Sequence, residues 1–227
     1  MAKIWYLGHS TLQLEIDGVR IVTDPFISEN PKAADVNVSD VEADIILVSH
    51  GHGDHVGDLV ELAKATDAEV ISCFEITTWL ENQGHSNVRP MNIGGNYVSN
   101  GIRFKMVNAV HSSSFPDGSY AGNPAGFIIE GQNDCIYFAG DTALTYDMKL
   151  INEEFDLTGA LLPVGDNFTM GPDDALKAAQ MCGTDRVVGI HFDTFGFIEI
   201  DHEQTEKLFE DAGIELFLPN PGEELEI

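Results

Sequence analysis

The six-residue segment His50-Gly51-His52-Gly53-Asp54-His55 holds three imidazoles and one carboxylate. Imidazole and carboxylate side chains together suit zinc and neighbouring transition metals. The segment directly follows the apolar run 44–49, which predicts a strand buried on both faces. Open α/β sheets place their sites at such strand ends. This position favours a metal centre over the alternative, a surface histidine tract that binds metal adventitiously.

The order of residue types within the segment predicts how its side chains are arranged. Alternation sends His50 and His52 to one side, and the following turn presents Asp54 and His55 to another. Two adjacent ions suit this arrangement better than one. The two interleaved glycines are expected to adopt unusual backbone angles, so that side chains converge where bulkier residues would clash.

Three more residues with metal-binding side chains occur later in the chain. His111, Asp141 and His191 each come directly after an apolar run that predicts a strand. Together with the HGHGDH segment they resemble the metallo-β-lactamase superfamily. Its signature is H-x-H-x-D-H, followed by His, Asp and His at successive strand ends. The resemblance extends over essentially the whole chain.

The resemblance implies an αββα sandwich, with two mixed β-sheets between helix layers, in one domain over residues 1–227. It also implies a site for two divalent metal ions. Zinc is expected first, with manganese, iron or nickel as alternatives. The implied ligands are His50, His52 and His111 for the first ion, Asp54, His55 and His191 for the second, and Asp141 as the bridge.

Two of these residues narrow the class within the superfamily. Most of its β-lactamases carry Cys at the bridging position, whereas Asp is usual in glyoxalase II-like, lactonase and phosphodiesterase members. Asp141 therefore argues against antibiotic hydrolysis. A redox di-iron protein is disfavoured by His52, because the flavodiiron branch has Glu at that position.

Three short segments resemble a group of small bacterial and archaeal metal-dependent hydrolases: Gly8-His9-Ser10, Asp24-Pro25 and residues 169–172. The chain also looks similar to L-ascorbate-6-phosphate lactonase. Asp24 matches a carboxylate that supports the metal histidines, with a turn-forming Asp as the alternative. His9 is expected to contact substrate or transfer a proton, with a hydrogen-bonded structural histidine as the alternative.

These residues predict a metal-dependent hydrolase. Water that bridges two metal ions can have a pKa of about 7, so it would supply a hydroxide that attacks a carbonyl carbon or a phosphorus. Asp54 is expected to orient this nucleophile or to carry a proton. The predicted substrate is a small ester, lactone or phosphodiester. The alternative is a non-catalytic protein of the same fold that uses the metal ions to hold a ligand.

Apolar runs and turn residues predict the elements that carry this site. Strands are expected at 3–7, 12–16, 19–23, 44–49, 68–72, 97–99, 102–110, 125–130, 134–139, 159–164, 186–191 and 214–218. Helices are expected at 57–66, 74–83, 145–153, 172–181 and 202–211. Residues 28–40 are expected to form a loop. The order indicates two similar halves, each with a sheet and helices.

Composition limits the partners. The 38 acidic and 11 basic residues give a net charge of −27, which opposes binding to phosphate backbones and to anionic membranes. A small-molecule substrate is therefore expected, without nucleic acid or membrane. No apolar run reaches the roughly 18–20 residues that span a bilayer. The first residues lack the features of a signal peptide, which predicts a cytoplasmic location.

Cysteines and the remaining histidines are expected to be structural. Cys73, Cys135 and Cys182 lie in or beside apolar segments without a disulfide or metal spacing, so they are predicted to be small buried side chains. His85 and His202 lie in or beside polar helical stretches and are predicted to be surface residues.

Overall fold

The computed structural model describes residues 1–33 and 36–227. Its strands form two seven-stranded sheets. In chain order the strands are β1 Lys3–Gly8, β2 Thr11–Ile16, β3 Val19–Thr23, β4 Ile45–Leu47, β5 Glu69–Cys73, β6 Val88–Met91, β7 Asn96–Ser99, β8 Ile102–Asn108, β9 Ala125–Glu130, β10 Cys135–Phe138, β11 Gly159–Pro163, β12 Arg186–Ile190, β13 Glu215–Phe217 and β14 Glu224–Glu226.

Both sheets have the same internal arrangement. The first runs β14-β1-β2-β3-β4-β5-β6 and the second runs β13-β12-β11-β10-β9-β8-β7. In each sheet, four neighbouring strands are parallel, β3 to β6 and β10 to β13, and the other neighbours are antiparallel. Parallel neighbours need crossover connections, which often contain helices, whereas antiparallel neighbours can be joined by tight turns. The carboxyl ends of the parallel strands therefore meet at one edge of each sheet.

Helices cover the outer face of each sheet. Side chains of the helices after β4 and β5 share a core with Ile46, Val48 and Val70 of the first sheet. Side chains of the helices after β11 and β12 join the core of the second sheet. The helices are α1 Gly53–Val56, α2 Leu59–Thr66, α3 Phe74–Asn82, α4 Met148–Glu154, α5 Pro172–Cys182 and α6 His202–Asp211.

Strand β4 shows why its sequence is apolar throughout. Ile45 and Leu47 pack into the core that contains residues of both sheets, whereas Ile46 and Val48 pack beneath the helices on the outer face. Both faces of the strand are buried, so the alternation of polar and apolar residues typical of half-exposed strands is absent. The predicted αββα sandwich is confirmed, and its central strand delivers the HGHGDH segment to the sheet edge.

The observed elements differ from the predicted ones in three places. The expected helix at 57–66 starts two residues later, as α2, and the short helix α1 before it was not predicted. Asp58, between the two helices, accepts hydrogen bonds from the amides of Ile27 and Ser28 through its carboxylate. Strands β6 and β14 were not predicted, since both are short, polar edge strands. The expected loop at 28–40 contains a 3₁₀ turn at Val38–Asp40, and positions 34–35 lie outside the described residues.

The prediction for His85 is wrong. Its side chain is buried, and its Nε2 lies 3.0 Å from the carbonyl oxygen of Ala68 and 3.2 Å from that of Asn87. It therefore joins the chain before β5 to the chain before β6. His202 is partly exposed and contacts Asp193. The three cysteines are buried and unpaired, as predicted. Among the described residues, no helix is long and apolar enough to cross a bilayer.

The core shared by the sheets dominates stability. Phe104 on β8 is fully buried in it. Phe104→Ala should lower the free energy of unfolding by about 3–5 kcal/mol, through lost burial and the cavity left behind. Val98→Ala on neighbouring β7 is the control, because Val98 is 61% exposed and surface changes stay within about 0.5 kcal/mol. Urea unfolding measures both, and equal losses would contradict this assignment of the core.

Candidate metal centre

The residues predicted to bind metal converge at the carboxyl ends of strands from both sheets. His50 comes three residues after the last residue of β4, and Asp54 and His55 lie in α1. The others follow strands of the second sheet: His111 after β8, Asp141 after β10 and His191 after β12. His9, predicted to contact substrate or transfer a proton, follows β1 of the first sheet, and Asp24, predicted to support the histidines, follows β3.

Two groups of these side chains are each close enough to hold one ion, and a third, Asp24 with His50 and His55, shares its histidines with them. His50, His52 and His111 offer ligand atoms that all lie within 4.8 Å of one another. In this group, Nε2 of His50 is 2.9 Å from Nδ1 of His52. Asp54, His55, His191 and His9 form the second group under the same distance limit. Three protein ligands per ion are typical of catalytic zinc sites, which keep a position open for substrate or water.

Asp141 lies between the two groups. Its Oδ2 is 3.1 Å from Nε2 of His191 and 3.4 Å from Nε2 of His55, both in the second group. The same oxygen is 3.5 Å from Nε2 of His111 and 4.0 Å from Nε2 of His50, both in the first. One carboxylate oxygen therefore faces imidazoles of both groups, which is the position that a bridging ligand needs.

The donor set fits divalent metal ions. Three buried atoms of the cluster, Nε2 of His55, Oδ1 of Asp141 and Nδ1 of His191, have no hydrogen-bond partner within residues 1–33 and 36–227. Burying a polar atom unpartnered costs roughly 1–3 kcal/mol, and buried charges are normally paired or coordinated to metal. Nitrogen and oxygen donors without alternative partners are what a divalent ion would satisfy. The cluster is therefore able to bind metal.

The electrostatics favour the metal-coordinating protonation states of His50 and Asp141, but not that of His55. Burial lowers the pKa of His50 well below its ordinary value, and the neighbouring His55 lowers it further, so His50 is neutral. Burial raises the pKa of Asp141, but His191 and His55 outweigh it, and the pKa lies well below its ordinary value. Asp141 is therefore a carboxylate. The pKa of His55 is raised because Asp141 and Asp24 together outweigh the effect of burial, so a proton competes with metal at this residue.

Asp24 supports two of the histidines from below. Its fully buried carboxylate lies 2.7 Å from Nδ1 of His55 and accepts hydrogen bonds from the amide and hydroxyl of Ser49, at 2.7 and 2.6 Å. The Ser49 hydroxyl lies 2.9 Å from Nδ1 of His50. Asp24 thus orients His55 directly and His50 through Ser49, leaving Nε2 of each ring towards Asp141. Such outer partners fix the tautomer of a ligating imidazole.

Sequence reasoning missed Ser49, although its position just before His50 at a strand end was a usable signal. It also missed Ser112 and Thr194. The Ser112 hydroxyl lies 3.4 Å from Nε2 of His52, on the side of the ring away from His50. Thr194 lies against His9, which no local pattern reveals.

His9 lies beneath Asp54 and has no open surface. Its side chain has 0% exposure, with Nε2 3.2 Å from Oδ2 of Asp54 and Nδ1 2.9 Å from the hydroxyl of Thr194. Burial, with His191 nearby at a ring separation of 4.1 Å, lowers the pKa of His9 to about 4. Direct substrate contact, one of the two roles expected for His9, does not fit a fully buried side chain. The other role, proton transfer, stays a prediction.

The two glycines of the HGHGDH segment have a different purpose from the one expected. Neither has a positive φ; positive values instead occur at His9 (58°), Asp24 (35°) and His191 (54°). Strain of this kind concentrates at functional sites. A Cβ at Gly51 would overlap that of Ala121, whereas a Cβ at Gly53 would meet only Pro116, at 3.6 Å. Position 51 therefore has no room for a side chain, whereas position 53 does.

Comparisons with known proteins agree with this geometry. The family model described as "Beta-lactamase superfamily domain" matches residues 19–192. A UPF0173 metal-dependent hydrolase of Flavobacterium johnsoniae is 50% identical over 225 residues, covering 99% of this chain and 100% of the relative. Another from Thermus thermophilus is 49% identical over 227 residues, covering 100% of both. A solved metallo hydrolase from Ignicoccus hospitalis superposes with a TM-score of 0.89 at 33% identity, covering 100% of this chain and 99% of the other.

The chain therefore belongs to the beta-lactamase superfamily and, within it, to the UPF0173 metal-dependent hydrolases. It is an enzyme that uses metal for hydrolysis, as the His and Asp cluster indicates. The resemblance to L-ascorbate-6-phosphate lactonase stays a prediction.

The two glycines give a matched pair of variants. Gly51→Ala should lower the free energy of unfolding by about 1–3 kcal/mol and weaken metal binding, because the added methyl group must displace the segment at Ala121. Gly53→Ala should be neutral or slightly stabilising, since alanine is the better helix former in α1. Thermal unfolding and zinc titration measure both effects. Equal behaviour of the two variants would refute the spatial explanation.

Asp24 gives a second test. Asp24→Asn should weaken metal binding about 10- to 100-fold, because the neutral amide supports His55 and Ser49 less well. Asparagine tolerates the positive φ at this position, so the backbone is preserved. Competition with a chromophoric chelator measures the affinity. The control is Asp174→Asn, which removes the same charge from an exposed residue paired with Lys177; unchanged affinity in the Asp24 variant would exclude the supporting role.

Proposed function

We propose that the protein hydrolyses a small ester, lactone or phosphodiester at a centre of two divalent ions. The observation that carries the proposal is the position of Asp141, whose Oδ2 faces imidazoles of both ligand groups at 3.1–4.0 Å. A carboxylate in that position supports paired ions better than a single ion.

The proposed assignment follows the two groups. One ion would be held by His50, His52 and His111, and the other by Asp54, His55 and His191, with Asp141 shared. Imidazole and carboxylate donors without thiolate suit zinc, manganese, iron or nickel, and zinc is our first choice. When bound, such ions lower the pKa of water to about 7 and stabilise negative charge on the substrate.

Asp54 is the proposed residue for proton transfer. Its side chain is 28% exposed, while His55 and Asp141 beside it are buried. With a hydrogen on Nε2, His9 donates to Oδ2 of Asp54, and its Nδ1 lies 2.9 Å from the Thr194 hydroxyl. Burial raises the pKa of Asp54, but the hydrogen bond from His9 and the charge of His55 together outweigh burial. The pKa therefore lies below its ordinary value, and Asp54 is ionised. His9 would thus be a positioning residue that holds Asp54 ready to accept a proton from the nucleophile.

The proposal extends to the partners and the location of the protein. A small-molecule substrate agrees with the membership of a hydrolase family. The net charge of −27 supports the absence of nucleic acid and anionic membrane among the partners. The cytoplasmic location stays a prediction.

The proposal is tested by metal content and turnover together. Protein loaded with zinc or manganese should contain two ions per chain and hydrolyse members of a panel of esters, lactones and phosphodiesters. His52→Ala should lose about one ion and at least 1,000-fold in kcat/KM, a loss of about 4 kcal/mol of transition-state stabilisation. Elemental analysis and spectrophotometric assays supply the two readouts.

The matched control is His202→Ala, which removes an imidazole outside the cluster and should keep both ions. Two ions without any turnover, combined with tight retention of an anion, would refute hydrolysis and favour the non-catalytic ligand-binding protein. A single ion per chain in the wild-type protein would refute the paired centre.

A further inference from the structure

Exposed phenylalanines lie on the two loops that follow β11 and β12. Phe168, Phe195 and Phe197 are 54%, 36% and 78% exposed, and we call them the phenylalanine rim. Phe195 and Phe197 come four and six residues after His191. Phe168 lies in a loop fixed to the cluster by Met170, whose amide donates to the carbonyl of Thr142 at 3.1 Å. Thr142 directly follows Asp141. One loop therefore begins at His191, and the other is hydrogen-bonded to the residue next to Asp141.

One residue of the rim, Phe195, contacts the metal centre. The ring of Phe195 lies 5.7 Å from that of His9, which in turn contacts Asp54 and His191. Phe168 and Phe197 contact each other edge to face across the two loops, at 6.4 Å between ring centroids. Large aromatic side chains are seldom left in water together without a purpose, because their burial is among the most favourable of any side chain.

The segments around the cluster contain no lysine or arginine. The segments that carry or border the cluster, 8–11, 24–27, 49–58, 109–124, 139–147, 163–171 and 190–200, contain neither Lys nor Arg. Arg20 and Arg186, the cations of β3 and β12, lie near the amino ends of these strands, where they pair with Asp44 and Glu215. Anionic groups of substrates are normally bound by Arg, Lys or helix N-termini. The N-termini of α1 and α5 border this region, but each helix carries aspartate in its first turn, which opposes an anion there. Other positive charge at the cluster would come from the ions, which act on the scissile bond.

We propose that the substrate is an uncharged ester or lactone whose apolar acyl substituent packs on the phenylalanine rim, an inference that rests on the hydrolase function proposed above. The rim supplies apolar contact beside the reacting bond, and the missing cations exclude a remote phosphate or carboxylate. Substrates with a remote anion, such as sugar phosphates, are therefore the wrong class, and the test below separates esters from phosphodiesters, whose phosphate is the scissile group. Each methylene buried on the rim contributes up to about 0.8 kcal/mol, which is at most about fourfold in kcat/KM.

The test uses 4-nitrophenyl esters, which share one chromophore and one leaving group. For the zinc-loaded protein, kcat/KM should rise about threefold per methylene from acetate through butyrate to hexanoate. The mono-4-nitrophenyl ester of glutaric acid, a chain of similar length ending in a carboxylate, should react at least tenfold more slowly than the hexanoate. Bis(4-nitrophenyl) phosphate should be the poorest substrate.

Two rim variants and one control locate the effect. Phe168→Ser and Phe197→Ser should each lower kcat/KM for the hexanoate about tenfold and that for the acetate far less, because the acetate offers only one methyl group to the rim. Val98→Ser removes a comparably exposed apolar side chain from edge strand β7 and should change neither. A rate independent of acyl length, a preference for the glutarate, or equal effects in the control would overturn the proposal.

A binding measurement separates this inference from the hydrolase function. The neutral fluorophore N-phenyl-1-naphthylamine should bind saturably to the wild-type protein and several-fold more weakly to the rim variants. If no ester is hydrolysed while this pattern holds, the hydrolase proposal fails and the apolar site stands. Loss of dimerisation in the rim variants by sedimentation velocity, with an unchanged acyl series, would show instead that the rim binds a second copy of the chain.

Discussion

The cost of burying ionisable groups governs this structure. His50, His55, Asp141 and Asp24 are all almost fully buried, and each would be strongly unfavourable alone. They are tolerated together because the charge of Asp141 is stabilised by imidazoles from both sheets, and because Asp24 supports His55 from the opposite side. Pairing within the cluster leaves some atoms unsatisfied. Divalent ions would complete the compensation, so the folding of this region and the binding of metal are one linked process.

The similar arrangement of the two sheets brings these ionisable groups together. Each sheet contains parallel strands whose carboxyl ends meet at one edge, and the shared core holds the two sheets face to face. Loops from different strands are thereby forced into one small volume. Backbone strain appears on His9, Asp24 and His191, which follow β1, β3 and β12. The rigid sheets over-determine these loops, so strained backbone persists where side chains must converge.

Two basic side chains and the metal-binding cluster lie at different ends of the strands. The acidic excess is large, and two of the few cations, Arg20 and Arg186, are held in ion pairs near the amino ends of β3 and β12. The loops at the opposite edge hold the imidazoles and carboxylates of the cluster and the exposed phenylalanines. In the substrate proposal, ions would concentrate positive charge at the cluster, and apolar contact would select the substrate.

The sequence by itself determined the residue types at the centre, their strand-end positions and, through the resemblance, the αββα sandwich. These depend on local spacing and on apolar runs, which short segments encode. It did not determine that Ser49 links Asp24 to His50, that His9 is sealed under Asp54, that His85 is buried, or that Gly51 is required by Ala121. Each of these facts is a contact between segments far apart in the chain. Only the packing of the two sheets decides which distant side chains meet.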